Sequence, residues 1–246
     1  MKKILIFGAC SSIAKCCARI WAKRGSALYL VGRNEEHLET LAKDLKIRGA
    51  AKVYSYVADI NLIEKHLFIL KSAEQSMIGI DSVFIAHGSL PNQKVCEQSI
   101  DMTIEEIKTN SISTISILTI AANYFEKKGV GNISVISSIA GDRGKSSNYI
   151  YGASKAMVTT FTSGLRQRLF KSNVTVVTIK PGFVDTPMTK SFEKGLLWVK
   201  PEVIAKKIVK AIDDNRNDEV YLPFFWWIII NIIKIIPQSI FKRIKL

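Results

Sequence analysis

"KKILIFGACSSIAKCCARIWAK", Lys2 to Lys23, sets the architecture. The two lysines before Ile4–Phe7 imitate the start of a secretory signal, but the apolar run stops at Gly8. From Ser12 onward the apolar residues recur at helical spacing, so the stretch reads as strand, turn, helix, and the expected compartment is the cytoplasm. A tight turn into a helix N-terminus presents free amides and the positive end of the helix dipole, which suits a pyrophosphate. The dinucleotide fingerprint has three glycines; here Gly8 stands alone, with Ser12 and Ala14 in the other two places. Ser11 and Ser12 offer hydroxyls, either to a phosphate or to cap the helix. A plain strand–turn–helix fits this stretch equally well.

The same alternation runs outward through the chain. "ILIF", "ALYLV", "KVYSYV", "DSVFIA", "NISVIS", "VTVVTI" and "EVYL" are short apolar runs rich in β-branched residues. Between them lie helix-periodic segments at Ser12–Lys23, Glu35–Ile47, Leu62–Met77, Ile104–Lys127, Tyr149–Phe170 and Pro201–Ile212. Nearly continuous apolar strands between amphipathic helices predict a parallel sheet covered on both faces. The expected fold is therefore α/β: a single Rossmann-type, doubly wound sheet of about seven strands with right-handed crossovers. Residues 1–223 read as one dinucleotide-binding and catalytic domain, and 224–246 as an apolar, basic C-terminal segment.

Composition narrows the classes. The chain has 246 residues, enough for one large core, and a formal net charge of +14. Such a balance suits an anionic ligand or surface. No nucleic-acid motif is present and the lysines are spread along the helices, so nucleic acid is not an expected partner. Cys10, Cys16, Cys17 and Cys96 show no metal-ligand spacing. They read as small buried residues in a reducing compartment, and no metal is expected.

The carboxyl ends of the strands hold the candidate site. After the second strand comes Arg33 in "LVGRN", where a site for NAD usually carries an acid. Arg33 is either a surface cation or the partner of a 2′-phosphate. Asp59, after the third strand, either accepts from an adenine amino group or caps the next helix. Gly88 lets a cofactor approach the backbone, and His87 beside it reads as structural. In "NYIYGASKAMV", Lys155 lies one helical turn above Tyr151 and can touch it, whereas Tyr149 points about 240° away. Taken alone, that pair is either a tyrosine packed on a lysine stem or a phenol tuned by an ammonium.

Ser138, thirteen residues before Tyr151, joins Lys155 and the earlier Asn110 in a pattern that resembles the short-chain dehydrogenase/reductase family. "GACSSIA" resembles that family's glycine-rich turn, "AHGSL" its Asn-Asn-Ala-Gly segment and "KPGFVDTPM" its Pro-Gly-x-x-x-Thr segment. The likeness runs from Lys3 to about Pro223, with Ile85 and Ala86 in place of the paired asparagines. It implies a carbonyl/alcohol oxidoreductase using NADP(H), with NAD(H) as the alternative. Ser138 would hold the substrate oxygen, Tyr151 would be the general acid/base, and Lys155 would lower the tyrosine pKa and bind the nicotinamide ribose. Asn110 would hold a water of the proton relay. Gly8, Ser11, Ser12, Ile13, Arg33, Asp59, Gly88, Tyr151, Lys155, Pro181, Gly182, Val184 and Thr186 would form the cofactor surface. Family likeness also implies a homo-oligomer.

"MTKSFEKGLLWVKP" reads as the substrate loop, and its apolar and basic mixture suits a long apolar or lipid-linked substrate with an anionic group, or a plain cover for an apolar pocket. The tail "LPFFWWIIINIIKIIPQSIFKRIKL" is too short an apolar run to span a bilayer. Its aromatics, isoleucines and the late cations Lys234, Lys242, Arg243 and Lys245 suit an anionic membrane surface. It serves equally as an oligomer contact or a roof over the pocket. Two other functions fit the chain: a soluble reductase of small, steroid-like or acyl substrates, and a non-catalytic cofactor-binding protein at a membrane surface.

Overall fold

The computed structural model describes residues 1–244, and Lys245 and Leu246 lie outside them. Seven strands form one parallel sheet: β1 (Lys3–Phe7), β2 (Ala27–Gly32), β3 (Lys52–Val57), β4 (Ser82–Ile85), β5 (Gly131–Ile136), β6 (Val174–Pro181) and β7 (Glu219–Leu222). Their order across the sheet is β3-β2-β1-β4-β5-β6-β7. The direction of winding reverses between β1 and β4, where Phe7 lies opposite Val31 on one side and Ile85 on the other. A crevice at such a switch point is the ligand position of an open α/β sheet.

Helices cover both faces. α1 (Ser12–Lys23), α2 (Glu35–Ile47) and α8 (Pro201–Asp213) lie on one face, where Trp21, Leu38, Ile204 and Ile208 pack on Ile4, Ile6 and Phe84. On the other face lie α3 (His66–Met77), α6 (Ser113–Lys128) and α7 (Tyr149–Arg168), bringing Ile69, Ile117, Phe125 and Val158 onto Leu5, Val83 and Val135. Each fully buried side chain of this kind contributes roughly 1.5–3 kcal/mol. The inner strands read as continuous apolar runs because both of their faces are covered, whereas the edge strand β3 has no fully buried residue.

The long helix expected over Ile104–Lys127 is interrupted. α4 (Gln93–Gln98) and α5 (Ile100–Ile107) come first; a π-helical segment, Lys108–Ile112, then leads into α6. The apolar pattern carries through the break, so periodicity does not reveal it. In the tail, α9 (Phe225–Ile235) and α10 (Gln238–Phe241) fold against the domain rather than away from it. α9 buries Trp226 and Ile230 against Ile139, leaving Phe224, Trp227, Ile228, Ile232 and Ile235 exposed. Among the described residues, no helix is long and apolar enough to cross a membrane.

Candidate active site

The β1 and β4 ends set the floor. Gly8 has φ +72°, and a Cβ there would lie 2.5 Å from the His87 amide nitrogen, so only glycine fits. Ser11 caps α1 by accepting from the Ala14 amide at 3.3 Å. Ser12 and the half-buried Ile13 already lie in the first turn of α1. Among the described residues, the non-glycine positions with positive φ are Ile78, Asn173 and Asn215, so serine at position 12 carries no backbone strain. The turn closes with one glycine, the Gly8 and Ala9 amides both donating to the Val31 carbonyl at 3.0 Å. Arg33 is exposed just past β2, and no carboxylate among the described residues pairs with it. Asp59, exposed past β3, accepts from the Asn61 amide at 2.9 Å and so caps the turn before α3.

The β5 end and α7 bring the reactive groups together. Ser138 caps a short 3-10 turn, Ile139–Gly141, by accepting from the Ala140 amide at 3.1 Å. Its neighbour Ser137 donates to the Lys155 carbonyl at 3.0 Å, which ties β5 to α7. Burial pushes the Tyr151 pKa up to about 12, and the nearby Ser138 hydroxyl offsets part of that rise. The Lys155 nitrogen lies 5.5 Å from the centre of the Tyr151 ring and donates to the Ile136 carbonyl at 3.3 Å. Burial brings its pKa down to about 8. Tyr149 is exposed, as the helical angle requires.

Asn110 sits fully buried in the π segment. Its amide nitrogen donates to Ser89 Oγ at 3.0 Å and to Glu106 Oε2 at 3.1 Å, while its oxygen accepts from the Ser89 amide at 3.0 Å. A Cβ on Gly88 would lie 2.9 Å from that oxygen and 3.4 Å from the Lys155 nitrogen. Glycine therefore lets Asn110 and Lys155 face one small space. His87 bonds through Nε2 to Ser113 and Thr114, each at 3.0 Å. Burial, with the nearby Lys155 charge, brings its pKa down to about 3, so the ring is neutral. Among the described residues no group of histidine, cysteine, aspartate or glutamate could hold a metal.

The family profile for short chain dehydrogenases matches residues 2–196. The chain belongs to that family. An uncharacterized oxidoreductase of Staphylococcus epidermidis is 31% identical over 220 residues, covering 89% of this chain and 94% of its own. One from Mycobacterium tuberculosis is 29% identical over 242 residues, covering 98% of this chain and 96% of its own. In fold the chain is similar to actinorhodin polyketide ketoreductase solved with NADPH, at TM-score 0.80 and 20% identity over 90% of this chain and 95% of that one. It is similar also to an alcohol dehydrogenase of Thermococcus sibiricus complexed with 5-hydroxy-NADP, at TM-score 0.79 and 22% identity over 90% and 96% of the two chains.

In this short-chain dehydrogenase the β6 end carries features the sequence did not signal. Pro181 ends β6, and the Gly182 amide donates to the Leu222 carbonyl at 3.0 Å. A Cβ on Gly182 would lie 1.9 Å from the Trp226 indole nitrogen, so the tail packs directly on this turn. Val184 bridges to Val199, and the Thr186 amide donates to Thr189 Oγ1 at 3.2 Å as the loop after β6 begins. Trp198 stacks on Phe183 with centroids 5.2 Å apart, and Phe183 meets Trp226 edge-on at 5.1 Å. Below them Lys180, 2% exposed, donates to Asp142 and Glu219, each at 2.6 Å, and to Tyr221 at 3.2 Å. Burial alone would lower that ammonium; its two carboxylate partners outweigh burial and hold it above its ordinary value. A lysine directly before the Pro-Gly turn was the available signal, but nothing local names its partners.

Proposed function

We propose that this chain is an NADP(H)-dependent oxidoreductase that interconverts a carbonyl and a secondary alcohol by hydride transfer. The observation that carries the reading is the convergence of Ser138, Tyr151 and Lys155: a serine hydroxyl near enough to the phenol to lower its pKa, with a buried ammonium 5.5 Å from the centre of its ring. The residues present fit a dinucleotide, because Gly8 makes the tight turn from β1 into the N-terminus of α1 and Arg33 offers a cation with no carboxylate partner among the described residues. Ser11, Ser12 and Ile13 would present amides and hydroxyls to the pyrophosphate, and Asp59 would face the adenine. Pro181, Gly182, Val184 and Thr186 would border the nicotinamide. When bound, that cofactor supplies or accepts the hydride.

The chain's own groups manage the oxygen and the proton. Ser138 holds the substrate oxygen beside Tyr151, whose high pKa keeps the phenol protonated at neutral pH and ready to donate to a developing alkoxide. Lys155, about 8, stays protonated for the most part at pH 7, orients the ribose hydroxyls and returns the proton to the tyrosine. Asn110 and Gly88 shape the space through which that proton is renewed.

The preferred substrate is apolar or lipid-linked. Phe192, Leu196 and Leu197 on the substrate loop are exposed, and the outer face of α9 adds Trp227, Ile228 and Ile232 with Lys234, Lys242 and Arg243 nearby. That combination supports docking on an anionic membrane from the cytoplasmic side. A homo-oligomer remains part of the reading on family grounds.

The test is Tyr151→Phe in a turnover screen with NADPH against lipid-linked sugars, long-chain ketones and small ketones. Turnover should fall by at least a thousandfold, about the upper part of the range for a lost general acid, while NADPH still binds and Tyr149→Phe stays close to wild type. Equal rates for wild type and Tyr151→Phe on an accepted substrate would end the reading.

A further inference from the structure

The turn that carries Ser138 is held from two sides. On one side it rests on α7: a Cβ on Gly141 would lie 2.7 Å from the Ala156 amide nitrogen, and one on Gly152 would lie 2.8 Å from the Ala140 oxygen. On the other side Ile139 is covered by Trp226 and Ile230 of α9. Backbone bonds make the turn stiff, since Gly141 donates to the Ser138 carbonyl and Asp142 to that of Ile139, each at 3.2 Å.

The residue that closes this arrangement is Arg143. Its Nη1 donates to the Ile233 carbonyl and, at 3.1 Å, to that of Lys234, while Nη2 donates to Gln238 Oε1 at 3.2 Å. The guanidinium also lies over the Phe241 ring, 3.8 Å from its centroid. Ile233 and Lys234 stand in the last turn of α9, where the Ile233 carbonyl has only a long 3.4 Å bond from the Ile236 amide and the dipole favours a cation. One planar fork therefore ends α9, holds α10 and continues through four residues into Ser138. A lysine has no such fork and stacks poorly.

We propose that Arg143 is a positioning residue, fastening α9 and α10 to the turn of Ser138 so that the C-terminal helices fix the serine against Tyr151. The proposal rests on the reading of Ser138 as the group that holds the substrate oxygen. It makes the tail a working part of the site, whatever surface its outer face meets.

The test is a double-mutant cycle on the full chain, using NADPH and a ketone that the wild type reduces. Arg143→Ala should lower kcat roughly tenfold with KM and NADPH affinity little changed, because the lost element orients the reacting serine and contacts neither ligand. Ser138→Ala should lower kcat further. The double variant should be no slower than Ser138→Ala, because Arg143 acts through that serine. If the two effects multiply, or if Arg143→Ala keeps the wild-type kcat in a folded protein, the positioning role is refuted. Full activity in Ser138→Ala would instead overturn the functional reading beneath it. Arg143→Lys provides the same comparison if the alanine variant does not fold, with a smaller loss of kcat and the same non-additivity expected. A role confined to folding would lower the melting temperature and leave kcat per folded molecule unchanged.

Discussion

Replacing Lys180 by methionine tests whether the buried charge cluster holds the β6 end. The ammonium has 2% of its side chain exposed and sits between Asp142, at 6%, and Glu219, at 27%. Methionine fills a similar volume but leaves the Asp142 carboxylate buried, with Oδ2 already lacking a partner. Breaking a buried pair in this way costs about 3–5 kcal/mol. Glu219 adds little because it reaches water. For a chain of this size, 1 kcal/mol moves Tm by about 2–4 °C, so the expected fall is roughly 6–20 °C. Circular dichroism melts at pH 7 would measure it. Adding Asp142→Asn to Lys180→Met removes the stranded charge and should recover most of the loss. Because the Lys180 pKa is held above its ordinary value of 10.5, its stabilising effect is fully present below that pH and is lost as pH rises through the higher folded value. A melt of Lys180→Met within 2 °C of wild type would refute the argument, as would a double variant no more stable than the single.

Three further outcomes follow from the site. Arg33→Ala should weaken NADPH binding by roughly ten- to a hundredfold, the worth of a charge-assisted contact of about 1.5–3 kcal/mol, and leave NADH nearly unchanged; a wild type that already prefers NADH in titration would remove the role given to Arg33. With Tyr151 near 12 and Lys155 near 8, alcohol oxidation should rise about tenfold per pH unit up to about pH 8 and then level off, because one proton leaves the coupled pair there; a rate independent of pH between 6 and 8 would count against the pair. Trp227→Ser with Ile228→Ser should release the protein from anionic vesicles at low salt without unfolding it, whereas Trp226→Ser should lower Tm; vesicle binding unchanged in the first variant would rule out the outer face of α9.

The inner strands were legible because burial on both faces selects β-branched, unbroken apolar runs, the edge strand β3 by its β-branched and aromatic residues although none is buried, and the parallel order followed from the helices between them. Ser138, Tyr151 and Lys155 could be placed near one another from a strand end and a fixed helical step, but the pair alone was ambiguous and only the resemblance to the family gave these residues roles. Other features were not. The π segment at Lys108–Ile112 adds a residue to a helix without altering its apolar spacing, so Ile104–Lys127 read as continuous. Adjacent Trp226 and Trp227 read as one aromatic face, yet neighbouring positions on a helix are about 100° apart; one is buried and the other exposed. The partners of Arg143 and Lys180 could not be read because tertiary proximity sets them: Gln238 lies far along the chain from Arg143, and Glu219 far from Lys180.

The parallel sheet also divides the molecule into two ends with different uses for an experimenter. The proposed reacting groups gather where strands finish, and Ile78, 81% exposed with φ +57°, sits where β4 is about to start. Gly79 beside it faces open space. A fluorophore attached at position 78, or a short peptide inserted after it, would ride on the opposite rim from Tyr151. Such a label reports folding and assembly without intruding on turnover, whereas a fusion carried beyond α10 would hang next to Arg143 and Phe241.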